Sequence, residues 1–174
     1  MSATAPARPS ENEYAAYYGK YIALVEGGDI VETLERQSVD TLALLRGIKE
    51  ERESFRYEPG KWSIKEVAGH LIDAERIFAY RALAIARGEQ KPLPGMEQDE
   101  YMAHADFDSR TLADLAEEFE HVRRSNVLMF RNLDAEAWSR RGTASDNEVS
   151  VRALAYIIAG HEAHHIRILR ERYL

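Results

Sequence analysis

Along most of this chain apolar residues return every three or four positions, the spacing of one buried face of an α-helix. The pattern is clearest in Ile64, Val67, Leu71, Ala74, Phe78, Ala82 and Ile85. Just before that face, Ser63-Ile64-Lys65-Glu66 forms a capping box, in which the Ser side chain accepts from the N3 amide and the Glu side chain reaches back to the cap amide. The helix is expected to run to about Arg87, with Gly88 at its C′ position. A second stripe, Leu112, Leu115, Phe119, Val122, Asn126 or Val127, and Phe130, predicts a helix over about Ser109–Asn132. A last helix starts near Ser150 and runs almost to Leu174. Upstream, residues 11–48 read as helical with a break at Gly27-Gly28-Asp29. Asp29 caps the stretch through Leu45, where Leu34, Val39, Leu42 and Leu45 fit a stripe only loosely, and Arg46-Gly47 supplies a stop.

No strand is expected, because alternating β-branched runs are absent and Ala, Leu, Glu and Arg dominate. Pro92, Pro94 and Gly95 make 88–108 a long connection between the second and third helices, with a short helix around 97–104 inside it. Connections of that length are uncommon in compact domains and often functional. A shorter loop, 140–149, carries Arg140-Arg141-Gly142. Four helices of ~20 residues, each ~30 Å long, have the dimensions of a bundle. The expectation is an all-α four-helix bundle, a single domain over 11–174 behind a disordered N-terminal tail, 1–10.

Composition narrows the function. The chain has 174 residues, 45% hydrophobic and 30% charged, as an ordinary globular domain does. Its formal charge of −7 repels phosphate backbones and anionic lipid, so neither a nucleic-acid nor a membrane partner is expected. With no cysteine there is no disulfide, zinc finger or Cys nucleophile, and any thiol chemistry needs a thiol brought by the substrate. The first residues, MSATAPARPSENEY, lack the apolar core of a signal peptide, and no apolar run approaches the ~20 residues of a membrane span. A cytoplasmic location is expected.

Six histidines stand out: His70, His104, His121, His161, His164 and His165. On a wheel at about 100° per residue with His161 at zero, Leu154, Ile158, Ile168 and Leu169 fall between about −20° and 80°, and His165 falls at about 40°. His161 and His165 thus lie within the apolar stripe, one turn apart, where two imidazoles can chelate one divalent ion or serve as hydrogen-bonded core residues. His164 falls to one side. His70 sits at the edge of its own stripe, where it can join that pair as a third ligand or hydrogen-bond a carboxylate at a helix boundary; periodicity leaves both open. His104 falls in the long connection, and His121 lies among charged residues. Three His around an open fourth position is the pattern of a catalytic zinc-like site. Such a site activates a bound water or thiol.

His161-Glu162-Ala163-His164-His165 also reads literally as HExxH, in which metalloproteases use the Glu as general base. Its context argues against that chemistry. Only nine residues follow His165, Ile168 and Glu171 stand where the extended motif has Gly and His, and no strand is expected to bind a peptide. Glu162 reads instead as a carboxylate at the surface or behind a ligand.

Taken together, Lys61-Trp62-Ser63-Ile64-Lys65-Glu66, Gly69-His70-Leu71 and Gly160-His161-Glu162-Ala163-His164-His165 resemble the DinB-like superfamily over about residues 20–174. That resemblance implies a four-helix bundle, a bound nickel or zinc ion, frequent homodimers, and a metal triad of His70, His161 and His165. Some members of the superfamily are thiol transferases or isomerases that use low-molecular-weight thiols such as bacillithiol, mycothiol or glutathione. The expected partner is therefore a small-molecule substrate, and a metal-binding module without catalysis is the alternative. Around the triad, Asp73 can take the second N–H of His70 or lie at the surface. Arg81 can receive an anionic group or form an ion pair. Trp62 is expected to anchor the start of its helix, and Tyr101 and Met102 to pack or to cover a pocket.

Overall fold

The computed structural model describes residues 6–174. It consists of short helices α1 (Gly19–Ile22), α4 (Gln98–His104) and α6 (Ala135–Ser139), and long helices α2 (Ile30–Gly47), α3 (Ile64–Ala86), α5 (Leu112–Arg131) and α7 (Val151–Ile168), with one hairpin of β1 (Arg141–Ala144) and β2 (Asn147–Ser150). The four long helices form the expected bundle. Among the described residues no helix is long and apolar enough to cross a membrane.

Local chemistry sets the helix ends. The Ser63 side chain accepts from the Glu66 amide at 3.1 Å, and Glu66 accepts from the Ser63 amide at 2.6 Å. At the other end of α3, Gly88 has φ +88°, the Glu89 amide donates to the Ala84 carbonyl and the Gly88 amide to that of Ile85. Those two bonds make a Schellman cap, which needs a left-handed residue where Gly88 stands. Asp29 caps α2 through the Val31 and Glu32 amides, and Thr111 caps α5. The expected stripes are buried, or half-buried at Val122 and Asn126, except at Val39, which is 68% exposed. It lies off the line of Leu34, Leu42 and Leu45, the residues that face inward.

The buried apolar residues fall into two clusters. One gathers the first half of α2, the second halves of α3 and α5, and the first half of α7, with Ile30, Phe78, Phe130 and Leu154. The other gathers the opposite halves, with Leu45, Leu71, Phe119 and Ile166. So α2 and α7 run one way, and α3 and α5 run the other. Helix α3 packs on both α5 and α7, and α2 packs on the same two. Since α3 and α5 are parallel neighbours, the chain between them must travel back along the bundle. That is why residues 88–111 form so long a connection.

The hairpin corrects the expectation of no strands. Arg141 pairs with Ser150 and Ala144 with Asn147, leaving Ser145 and Asp146 as a two-residue turn with φ of 50° and 59°. That is the type I′ geometry, whose twist suits hairpins. The hairpin also pins the crossover: the Leu93 amide donates to Thr143 at 2.8 Å and the Ser145 amide to Leu93 at 3.1 Å.

Residues 1–5 of the expected tail lie outside the described residues. Just after them, Arg8 donates to the carbonyls of Ile22 and Val25. Glu13 is buried and accepts from Ser10, Ser150 and Arg152. Burial works against its charge, but Arg152 and the two serines outweigh it and hold the carboxyl down at about 2.

Candidate metal centre

Between the two apolar clusters lies a polar belt to which all four long helices contribute: Thr41 from α2, His70 and Glu75 from α3, Arg123 from α5, and His161, Glu162 and His165 from α7. Its histidines meet at one point. The Nε2 atoms of His70 and His161 are 3.1 Å apart, and those of His165 and His161 are also 3.1 Å apart. One ligand atom from each of the three lies within 4.8 Å of the others. His164 stands aside, half-buried against the Tyr21 ring. His104 is exposed at the end of α4, and His121 is exposed beside Glu117.

Close packing positions these rings. A Cβ on Gly160 would come within 2.1 Å of the Tyr21 carbonyl oxygen, and one on Gly69 within 2.4 Å of the Phe107 ring. The glycine before each helix's first histidine thus lets another segment press on the backbone. Gly160 admits α1, which sets the Tyr21 ring 5.5 Å from that of His161. Trp62 lies 4.8 Å from the His70 ring, and its carbonyl accepts from the Tyr173 hydroxyl at 2.8 Å.

Burial holds the imidazoles neutral. It lowers His70 from the usual 6.5 to about 4, with Asp99 opposing, and it lowers His165 to about 3, with help from His70 and His164. His161 is lowered well below its ordinary value by burial and by its neighbours His165 and His70. Each ring therefore has one nitrogen lone pair to offer. His161 Nε2 carries either a proton or a lone pair, so it cannot complete separate hydrogen bonds to both neighbours. Nδ1 of His70 is buried without a partner among the described residues. Asp73 does not take that proton; it is half-buried, and burial raises its pKa despite Arg76.

Glu162 is not at the surface. It is 2% exposed, accepts from Thr41 at 2.6 Å and pairs with Arg123 at 2.7 Å. Glu75 takes the other side of Arg123 through two bonds of 2.7 Å and accepts from Asn126 at 3.1 Å. Burial would lower the Arg123 pKa, but Glu162 and Glu75 outweigh it and raise it further. The literal HExxH string therefore lacks its general base.

His70 and His161 form part of the wall of a cavity of about 350 Å³. Tyr17, Tyr18 and Tyr21 close one side, and Met96, Glu97, Gln98 and Asp99 of the crossover close another. Phe78 and Arg81 complete it, with Ser145 of the hairpin. Tyr17 and Tyr21 share a hydrogen bond of 3.3 Å, and burial foremost raises the Tyr21 pKa, so its hydroxyl keeps its proton at neutral pH. Tyr101 and Met102 do not line this space; Tyr101 is exposed, and Met102 packs on the apolar cluster around Phe119.

The family model described as the DinB superfamily matches residues 33–169. Among solved structures, YfiT from Bacillus subtilis, described as "a probable metal-dependent hydrolase with an unusual four-helix bundle topology", is similar to this chain. The TM-score is 0.67 at 14% identity, over 95% of this chain and 90% of that one. At that identity the likeness concerns the fold. No curated protein matches the chain.

Proposed function

The chain belongs to the DinB superfamily, and from that premise we propose that it binds one divalent metal ion through His70, His161 and His165 and acts with it on a small molecule. The observation that carries this reading is the meeting of three Nε2 atoms, from the buried His70 and His161, which line the cavity, and from the partly buried His165. Metal–nitrogen bonds of ~2.0–2.1 Å set ligand nitrogens roughly 3–3.4 Å apart, which the 3.1 Å contacts match. Neutral imidazoles suit zinc or nickel alike. Such an ion supplies Lewis-acid chemistry, lowering the pKa of a thiol or water that binds beside the rings.

The protein's own groups do the rest. Tyr21 holds a proton at the cavity wall, Phe78 gives an apolar face, and the crossover supplies one side of the cavity. The reaction favoured here is the one that the family resemblance implies, transfer of a low-molecular-weight thiol to an electrophilic carbon; the chain has no cysteine, so the thiol comes with the substrate. Hydrolysis is the second reading, and the description of the similar YfiT supports it.

Elemental analysis of untagged protein should find about one zinc or nickel per chain. His70→Ala should weaken binding by about tenfold or more, since even groups behind a ligand carry about 10–100-fold. A protein that stays metal-free in zinc- and nickel-replete medium would sink the proposal. Thiol-conjugation and ester-hydrolysis panels run against His161→Ala then separate the two reactions.

A further inference from the structure

Two arginines are almost wholly buried inside this bundle, and they are treated differently. Arg123 is enclosed by two carboxylates. Arg81 is 3% exposed, lines the cavity, and has only neutral acceptors: its Nη2 donates to the Pro94 carbonyl at 2.7 Å and to Ser145 Oγ at 3.1 Å. Its Nε has no partner among the described residues. The Phe78 ring, 5.7 Å from the guanidinium carbon, adds a weak cation–π contact. Glu97 and Asp99 line the same cavity, yet neither forms an ion pair with Arg81. A buried charge normally has a counter-ion, and this one faces a cavity instead.

We propose that Arg81 is an anion subsite that receives the carboxylate of a small organic acid. A guanidinium with unused N–H donors suits a planar carboxylate. The carboxylates of Glu97 and Asp99 in the same wall disfavour a doubly charged phosphate. Ile77 and Phe78 stand between His70 and Arg81 along α3, with Phe78 6.0 Å from the His161 ring, and Met96 lines the same cavity; together they offer an apolar bed for the rest of the molecule. That the bound acid is the substrate rests on reading the imidazoles as the reaction centre; the anion subsite does not.

The test therefore uses metal-free full-length protein. The Arg81 Nε–H resonance is followed by NMR while 3-phenylpropionate, its neutral amide or inorganic phosphate is added. The carboxylate should shift that resonance saturably, and the amide should not. Arg81→Gln, checked for fold by circular dichroism, should bind 3-phenylpropionate about tenfold or more weakly, as loss of a charge-assisted bond implies. No shift, or an equal shift with the amide, would overturn the subsite, and the wild-type resonance reports this even if the variant misfolds. Tighter binding of phosphate would overturn the carboxylate assignment. Absence of metal from the purified protein leaves this result untouched.

Discussion

Arg123 stands four residues after Phe119 and four before Val127, inside the apolar stripe of α5. Glu75 stands four after Leu71 on α3. Both positions were readable as inward-facing by the same periodicity that marked His161 and His165, and their charge hid them. Their pairing was not readable, because it joins three helices through contacts 39 and 48 positions apart. The wheel also placed Glu162 about 100° from His161. It carried no sign that α2 and α5 cover that face. Arg123→Met strands two carboxylates in the interior and should cost about 3–5 kcal/mol in urea unfolding. A cost below about 1 kcal/mol would mean that the three groups are not buried as charges.

At the level of helices, local chemistry was a good guide. Ser63, Asp29 and Gly88 each end or begin a helix as their side chains or lack of one require. The hairpin escaped notice because Arg141-Gly142-Thr143-Ala144 and Asn147-Glu148-Val149-Ser150 hold no alternating apolar run; their pairing rests on the Ser145-Asp146 turn and on contact with Leu93. The three tyrosines of the cavity were equally silent, since residues 16–22 form only a short turn and α1. Gly160 ties that segment to the histidines. Gly160→Ala drives a methyl into the Tyr21 backbone and should destabilise the protein by about 1–3 kcal/mol or more. The same variant should displace Tyr21 from His161, which a crystal structure or ring-current shifts would reveal. Full stability in the variant would show that α1 does not bear on α7 as described.

Across the bundle, the polar belt makes stability depend on pH. The folded chain holds His70 at about 4 and His165 at about 3, whereas the unfolded chain protonates histidine near 6.5. Above that pH both states are neutral and the full stability is present. As pH falls through 6.5 the unfolded chain takes up protons that the folded one refuses, so stability declines until the folded values are reached. Calorimetry of metal-free protein at pH 7 and pH 5 should show this loss, and a smaller one in His165→Ala. Equal losses would mean that the rings are not held neutral by burial.

The Glu75–Arg123–Glu162 trio is uneven: two acids share one base, and burial raises the pKa of Glu162 against the pull of Arg123. It borders a narrow gap also walled by His161. Three uncharged rings around a doubly positive ion and the guanidinium of Arg81 would share the cavity wall with the carboxylates of Glu97 and Asp99. The ion and the arginine would each favour a negative group on the guest, while those two wall acids would oppose a guest that carries much negative charge.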